Sequence, residues 1–251
     1  MSRVVVVTGG AKGIGRATVA AFAAHGDRVV ALGRDRDALA SLGESLGVAG
    51  QVVETRACDV ADEDEVADVF GAIGDVDVLV NNAGVAESAP LPRTTLESWN
   101  RHLAVNATGA FLCTRAVLDG MRRRDEGAVV TVASTAGRVG APYTAAYTAS
   151  KHAAIGLMRA AAAEIAGTRV RANAVCPTFV DTEMTQRSVA NIMRATGRDE
   201  AASTAALASA SPLGRLLDPQ EVAACVFWLA SPDAASMNGQ TLVLDGGGIQ
   251  S

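Results

Sequence analysis

Cysteine is scarce and scattered in this chain. The four thiols, Cys58, Cys113, Cys176 and Cys225, lie far apart with no C-x-x-C pair. That excludes a zinc knuckle or vicinal redox couple and fits a reduced, cytoplasmic chain. A basic excess is missing too: 22 Lys and Arg against 27 Asp and Glu leave a formal net charge of −5. Nucleic acid or an anionic membrane surface would favour a basic face, so neither partner is expected. No apolar run approaches the roughly 20 residues a membrane helix needs. After Met1-Ser2-Arg3 the apolar stretch is only Val4 to Val7 before a Thr-Gly-Gly turn, so no secretory signal is expected. Seven prolines and 49% hydrophobic residues exclude collagen-like and disordered classes. Lysine is nearly absent: Lys12 and Lys151 stand against 20 arginines. A lysine kept against such a bias asks which property of an ammonium its position needs.

What is present is a regular alternation. Short, valine-rich apolar runs at residues 3–7, 28–32, 51–55, 78–80, 128–133, 169–175 and 241–244 read as strands buried on both faces. Helical patterns fill residues 14–25, 35–46, 63–73, 96–124, 145–166 and 219–229. This predicts an α/β fold with a parallel sheet and helices on both faces. With no repeat or linker, residues 1–251 read as one domain, a size single α/β domains reach. Residues 178–212 break the rhythm. They are rich in Ala, Ser, Thr and Met at helical spacing and are expected to form a lid; the alternative is a surface helical hairpin without a role.

The first strand runs into Thr8-Gly9-Gly10-Ala11-Lys12-Gly13-Ile14-Gly15-Arg16, which opens a helix. Gly9 permits a tight turn, Gly13 lets backbone amides approach a pyrophosphate, and Gly15 allows close helix–strand packing. The helix N-terminus then offers unpaired N–H groups and the positive end of its dipole to that anion. The spacing is G-x-x-x-G-x-G, and its place at the first strand–helix junction marks a dinucleotide turn. Gly9, Lys12, Gly13, Ile14 and Gly15 are its candidate cofactor residues. At the end of the second strand an acid would read a free ribose 2′-hydroxyl and an arginine a 2′-phosphate. This chain has Leu32-Gly33-Arg34-Asp35 there. With Gly33 in the acid's slot, Arg34 is free to fork onto a phosphate and Lys12 to add a second charge, which reads as NADPH. The alternative takes Asp35 as the ribose acid and NAD as the cofactor.

Tyr147 and Lys151 lie four residues apart in the helical pattern 145–166, one turn apart on one face. Hydride transfer between a nicotinamide and a carbonyl develops negative charge on oxygen, so a proton must be supplied nearby. Free tyrosine, with a pKa near 10, is a poor donor and acceptor at neutral pH. An adjacent ammonium is expected to lower that value, and its three donors could also hold ribose hydroxyls.

With Thr8 to Gly15, Asn81-Asn82-Ala83-Gly84, Asn106, Ser134, Pro177 and Asp245-Gly246-Gly247, the segment Tyr147-Thr148-Ala149-Ser150-Lys151 resembles the short-chain dehydrogenase/reductase family of single-domain type. The likeness spans the chain from the first strand to Gly247. It implies a three-layer, doubly wound, Rossmann-like fold on a seven-stranded parallel sheet. It also implies Tyr147 as general acid/base, Ser134 as donor to the substrate oxygen, and Asn106 in a water relay to Lys151. Asp59 and Val60 would flank the adenine, and Asn82, Ala83 and Gly84 would shape the adenosine pocket. Tyr147, Lys151, Pro177, Val180 and Thr182 would hold the nicotinamide end. The family's usual Pro-Gly is Pro177-Thr178 here, a larger side chain where glycine's freedom is expected.

The substrate pocket is expected from residues 135–143, residues 86–91 and the lid after Thr182. Those residues are mostly small or apolar, Arg138 excepted. That suits an uncharged or thioester-borne ketone, and the resemblance leans toward 3-oxoacyl-thioester and polyketide ketoreductases. The Pro-Gly-Gly common in the polyketide enzymes is replaced by Ser88-Ala89-Pro90-Leu91-Pro92. Rival readings are an NAD-dependent secondary-alcohol, hydroxyacyl or steroid dehydrogenase, and a nucleotide sensor without catalysis. A sensor would not need the Tyr147 proton donor. Arg122-Arg123-Arg124 could dock an acidic carrier protein, although a solvated basic helix end explains it as well. Tyr143 is placed at the pocket, His152 beside its helix, and His25 and His102 as structural, with no metal expected. The last strand, 241–244, resembles one that meets its symmetry mate, so a homotetramer is expected, with a dimer as the alternative.

Overall fold

The computed structural model describes residues 2–48 and 53–250. Seven strands, β1 (Val4–Thr8), β2 (Arg28–Gly33), β3 (Val53–Ala57), β4 (Val78–Asn81), β5 (Gly127–Val132), β6 (Val170–Pro177) and β7 (Thr241–Leu244), form one sheet in the order β3-β2-β1-β4-β5-β6-β7. Every pairing is parallel. Between the strands run α1 (Gly13–Ala24), α2 (Arg36–Val48), α3 (Glu63–Ile73), α4 (Leu96–Leu103), α5 (Gly109–Arg124), α6 (Ala145–Glu164), α7 (Glu183–Thr196), α8 (Glu200–Ala208) and α9 (Pro219–Leu229).

The period-two alternation of side chains divides the core. On one face Val6, Val30, Leu79 and Val129 pack with Phe70 of α3, Leu112 and Met121 of α5, and Ile155 and Met158 of α6. On the other, Val5, Val7, Val29, Val80 and Val130 pack with Phe22 of α1, Leu42 of α2, and Val226 and Leu229 of α9. A strand buried on both sides must be apolar at every position, which explains the unbroken valine runs. The helix starts follow from their caps. Asp62 accepts from Asp64 and Glu65 N–H ahead of α3, and Asp218 with Glu221 forms a capping box around Pro219 at the start of α9.

Three expectations change. The single helix at 96–124 is broken into α4, a π-helical segment (Ala104–Thr108) and α5. The strand expected at 51–55 runs from Val53 to Ala57, and Gln51 and Val52 lie outside the described residues. β6 continues through Pro177, and Thr178 N–H extends its pairing to the Leu244 carbonyl at 3.0 Å. The only non-glycine residues with positive φ among those described are Asp125 and Tyr143. Thr178 therefore keeps ordinary backbone geometry, and the missing glycine disturbs nothing there.

The order of strands reverses between β1 and β4, which opens a crevice beyond their carboxyl ends. The glycine-rich turn, the Asn81–Gly84 segment, the end of β5 and the start of α6 all adjoin it.

Candidate active site

The glycine-rich turn has the shape that an anion needs. α1 is preceded by Lys12, whose side chain accepts no hydrogen bond, so the first N–H groups of the helix have no side-chain cap. Gly9 and Gly13 both have positive φ, 63° and 51°. A Cβ on Gly15 would stand 2.0 Å from the Gly9 carbonyl oxygen, and one on Gly9 would stand 2.9 Å from Ala83 Cα. A Cβ on Gly13 would meet Thr182 at 3.0 Å, which places the start of the lid segment over the turn. This backbone cradle, free of side chains, fits a dinucleotide pyrophosphate.

Asn82 and Ala83 brace the turn from below. Asn82 Nδ2 donates to the Thr8 and Gly9 carbonyls at 2.9 and 3.1 Å. The Thr8 hydroxyl oxygen accepts from both Asn82 N–H and Ala83 N–H at 3.0 Å. Asn81 donates to the Thr114 hydroxyl at 2.9 Å. Val60 is buried, and a Cβ on Gly109 would come within 2.7 Å of it.

The ribose corner is more crowded with charge than the sequence suggested. β2 ends at Gly33, so no acid occupies the strand terminus. Arg34 is exposed and lies 3.4 Å from Asp59. Lys12 pairs with Asp35 at 3.1 Å and with Glu183 of α7 at 3.4 Å. Asp35 itself accepts from Ala38 N–H at the start of α2. The two cations expected to converge on one phosphate thus each hold a carboxylate.

The proton-transfer set gathers around the end of β5. Ser134 is buried, and its hydroxyl oxygen accepts from Ala136 N–H at 3.1 Å, which leaves its proton free to donate. A side-chain hydrogen bond joins it to Tyr147, which α6 presents half-buried. Lys151, one turn further along α6, is 5% exposed, and its Nζ donates to the Val132 carbonyl at 2.9 Å. Asn106 lies within the π-helical segment, which turns its side chain inward. Its Oδ1 accepts from Val85 N–H at 2.8 Å, and its Nδ2 donates to the Val85 carbonyl and the Ser150 hydroxyl, both at 2.9 Å. A Cβ on Gly84 would have Asn106 Oδ1 at 3.3 Å and Lys151 Nζ at 3.6 Å, so glycine keeps that junction open.

One electrostatic expectation is corrected. Burial pushes the Tyr147 phenol above its ordinary value, and the hydrogen bond with Ser134 pulls it part of the way back. Lys151 is not among the groups that lower it; its Nζ stands 5.7 Å from the centre of the ring. Burial also pulls Lys151 down to about 8. Desolvation is the dominant influence on both groups.

Pro177 ends β6, Val180 is buried and bridged to Leu217, and Thr182 caps α7. The lid expected at 178–212 folds as α7 and α8. A cavity of about 270 Å³ lies between the 87–98 segment, the start of α6 and α7, with Glu87, Ser88, Thr95, Ser98, Tyr143 and Asn191 in its lining. Its lining mixes polar side chains with Ala89, Ala145 and Ala146, because residues 93–98 enter it alongside residues 86–91. Sequence reasoning missed this wall, as well as the part His102 plays in it. Glu87 N–H donates to His102 Nε2, and no motif flags such a bond.

A parallel sheet wound on both faces, a glycine cradle at its switch point and a Ser–Tyr–Lys cluster beside it define a nucleotide-dependent oxidoreductase. The chain belongs to the short-chain dehydrogenase family, whose model matches residues 3–192. It is 38% identical to D-threitol dehydrogenase of Mycolicibacterium smegmatis over 98% of this chain and 92% of that protein. It is 37% identical to 3-oxoacyl-(acyl-carrier-protein) reductase FabG of Thermotoga maritima, covering 98% and 97%. Among solved structures, a variant of actinorhodin polyketide ketoreductase with NADPH superposes with a TM-score of 0.94 at 34% identity, covering 98% of this chain and 97% of that one.

Proposed function

We propose that this chain is an NADPH-dependent reductase in which Tyr147 gives a proton to the oxygen of a ketone, best a 3-oxoacyl thioester or a similar uncharged carbonyl. The observation that carries this reading is the hydrogen-bonded Ser134–Tyr147 pair with Lys151 buried beside it, at strand ends next to the glycine cradle. When bound, the dinucleotide supplies the hydride. The chain's own residues do the rest. Ser134 donates to the carbonyl oxygen as charge develops there, a small oxyanion-type contribution. Tyr147 passes its proton to that oxygen. Lys151 is held by the Val132 carbonyl with its Nζ 5.7 Å from the centre of the Tyr147 ring, and two of its three protons remain for ribose hydroxyls. Asn106, saturated by Val85 and Ser150, fixes the backbone through which solvent protons return. Gly9, Lys12, Gly13, Ile14 and Gly15 would hold the pyrophosphate, with Asp59, Val60, Asn82, Ala83 and Gly84 at the adenosine and Pro177, Val180 and Thr182 at the nicotinamide.

NADPH is favoured by the absence of an acid at the end of β2 and by exposed Arg34 directly after it. The structure of the actinorhodin polyketide ketoreductase with NADPH points the same way. A second reading, an NAD-linked dehydrogenase acting on a secondary alcohol, draws on the carboxylates that occupy Lys12 and Arg34. Residues 1–251 act as one domain, in a cytoplasmic homotetramer. The test is a panel of ketones and thioesters, including acetoacetyl-coenzyme A, followed by nicotinamide absorbance with NADPH and NADH in parallel. Turnover with NADPH preferred supports the reductase. Oxidation of alcohols with NAD alone supports the second reading, and inactivity toward the whole panel with both coenzymes overturns both.

A further inference from the structure

We propose that His102 is a positioning residue that ties the 87–98 wall of the neighbouring cavity to the Tyr147 ring. The proposal rests on Tyr147 being the proton donor. His102 is completely buried on α4, one turn before Asn106 of the π-helical segment. Its Nδ1 lies 2.7 Å from the Ser98 carbonyl oxygen, which can only accept, so Nδ1 carries a proton. Its Nε2 lies 3.0 Å from Glu87 N–H, which can only donate, so Nε2 offers a bare lone pair. Both bonds exist together only in the neutral Nδ1–H tautomer. Neither a protonated ring nor the other tautomer satisfies the pair.

The same ring stands edge-on to Tyr147, with centroids 6.4 Å apart and planes at 78°. Ser134, just beyond β5, and Lys151 of α6 approach Tyr147 from the other elements, and His102 is its neighbour from α4. On its other side the link reaches the cavity. Glu87 Oε2 accepts from the Ser98 hydroxyl at 3.0 Å and Glu87 pairs with Arg101, while Glu87 and Ser98 both line the cavity. One imidazole therefore fixes both the segment a substrate would lie against and the ring that would protonate it. An aliphatic residue could fill the volume but would leave Glu87 N–H without its partner.

Two variants separate the two contacts. His102→Phe keeps a ring beside Tyr147 and loses both hydrogen bonds; His102→Gln keeps a donor and an acceptor and loses the ring. With the ketone that wild type turns over best, His102→Phe is expected to raise KM about tenfold with kcat held within about threefold, and His102→Gln to do the reverse. A second readout needs no substrate. The chain has two tyrosines, so in a Tyr143→Phe background phenolate absorbance reports Tyr147 alone. His102→Gln should then move its titration midpoint by about half a unit or more. Folded variants with wild-type KM, kcat and midpoint overturn the proposal. If the variants do not fold, nitrogen NMR of the histidines in the wild-type chain decides it: a neutral Nδ1–H ring at His102 supports it, and an Nε2–H or charged ring overturns it. Failure of the ketone panel instead sinks the reductase reading, while the tyrosine midpoint still judges the role of His102.

Discussion

Lys151 Nζ donates to the Val132 carbonyl at 2.9 Å while standing 5.7 Å from the centre of the Tyr147 ring. The ammonium is therefore anchored by the main chain of β5 and not by the phenol. Burial brings it down to about 8, so near neutral pH it is charged but close to releasing its proton. An arginine could not reach that state, because its guanidinium keeps its charge in proteins. The retention of lysine at 151 in an arginine-rich chain fits that property.

Lys151→Met is expected to lower kcat by at least about 100-fold while raising stability at pH 7 by about 1–3 kcal/mol, since a buried charge is removed. The pH dependence has a definite sign. The folded-state pKa lies below the ordinary 10.5. Between about pH 8 and 10.5 the folded chain has released the proton and the unfolded chain still holds it, so wild-type stability rises with pH relative to the variant. Denaturant titrations of both chains across that window check this; a stability gap that does not change with pH contradicts it.

Gly15→Ala places a methyl group 2.0 Å from the Gly9 carbonyl oxygen and 2.5 Å from Asn82 Nδ2. The turn has to open, at a cost of about 1–3 kcal/mol in stability. Nicotinamide dinucleotide binding should weaken at least about 100-fold, measured by calorimetry on the folded variant.

Arg34→Ala tests the coenzyme assignment. The NADPH dissociation constant should rise about tenfold or more through loss of a charge-assisted contact to the 2′-phosphate, with NADH changed by less than about threefold. An unchanged NADPH constant would favour the NAD reading.

Thr178→Gly restores the glycine that the family resemblance leads one to expect. Because Thr178 already has ordinary backbone geometry, the change should leave kcat within about twofold and destabilise the chain by about 0.4–1 kcal/mol through added unfolded-state entropy. A gain in activity would show that glycine's conformational freedom is needed there.

The layers of the fold were legible because burial on both faces writes itself into a strand as an unbroken apolar run, as in Val4 to Val7 and Val78 to Val80. The junctions were less so. The break at Ala104–Thr108 lies inside a pattern with continuous helical periodicity, and without the family resemblance Asn106 reads only as a polar residue that kinks a helix. Motif spacing and the family resemblance named the candidate site residues, but neither carried their electrostatics. Spacing places Lys151 one turn from Tyr147 and cannot say that its ammonium turns toward Val132. Nor does any motif show that Lys12 faces Glu183 across the turn, because that pair joins residues 171 apart in sequence only once the start of α7 lies against the glycine-rich turn.

The central claim is that the Tyr147 hydroxyl is the proton source, and Tyr147→Phe tests it most directly. Single-turnover oxidation of bound NADPH by the best ketone of the panel should slow by about 10²–10⁴-fold, with the NADPH dissociation constant within about twofold of wild type. A phenylalanine variant that turns over at the wild-type rate would contradict the account.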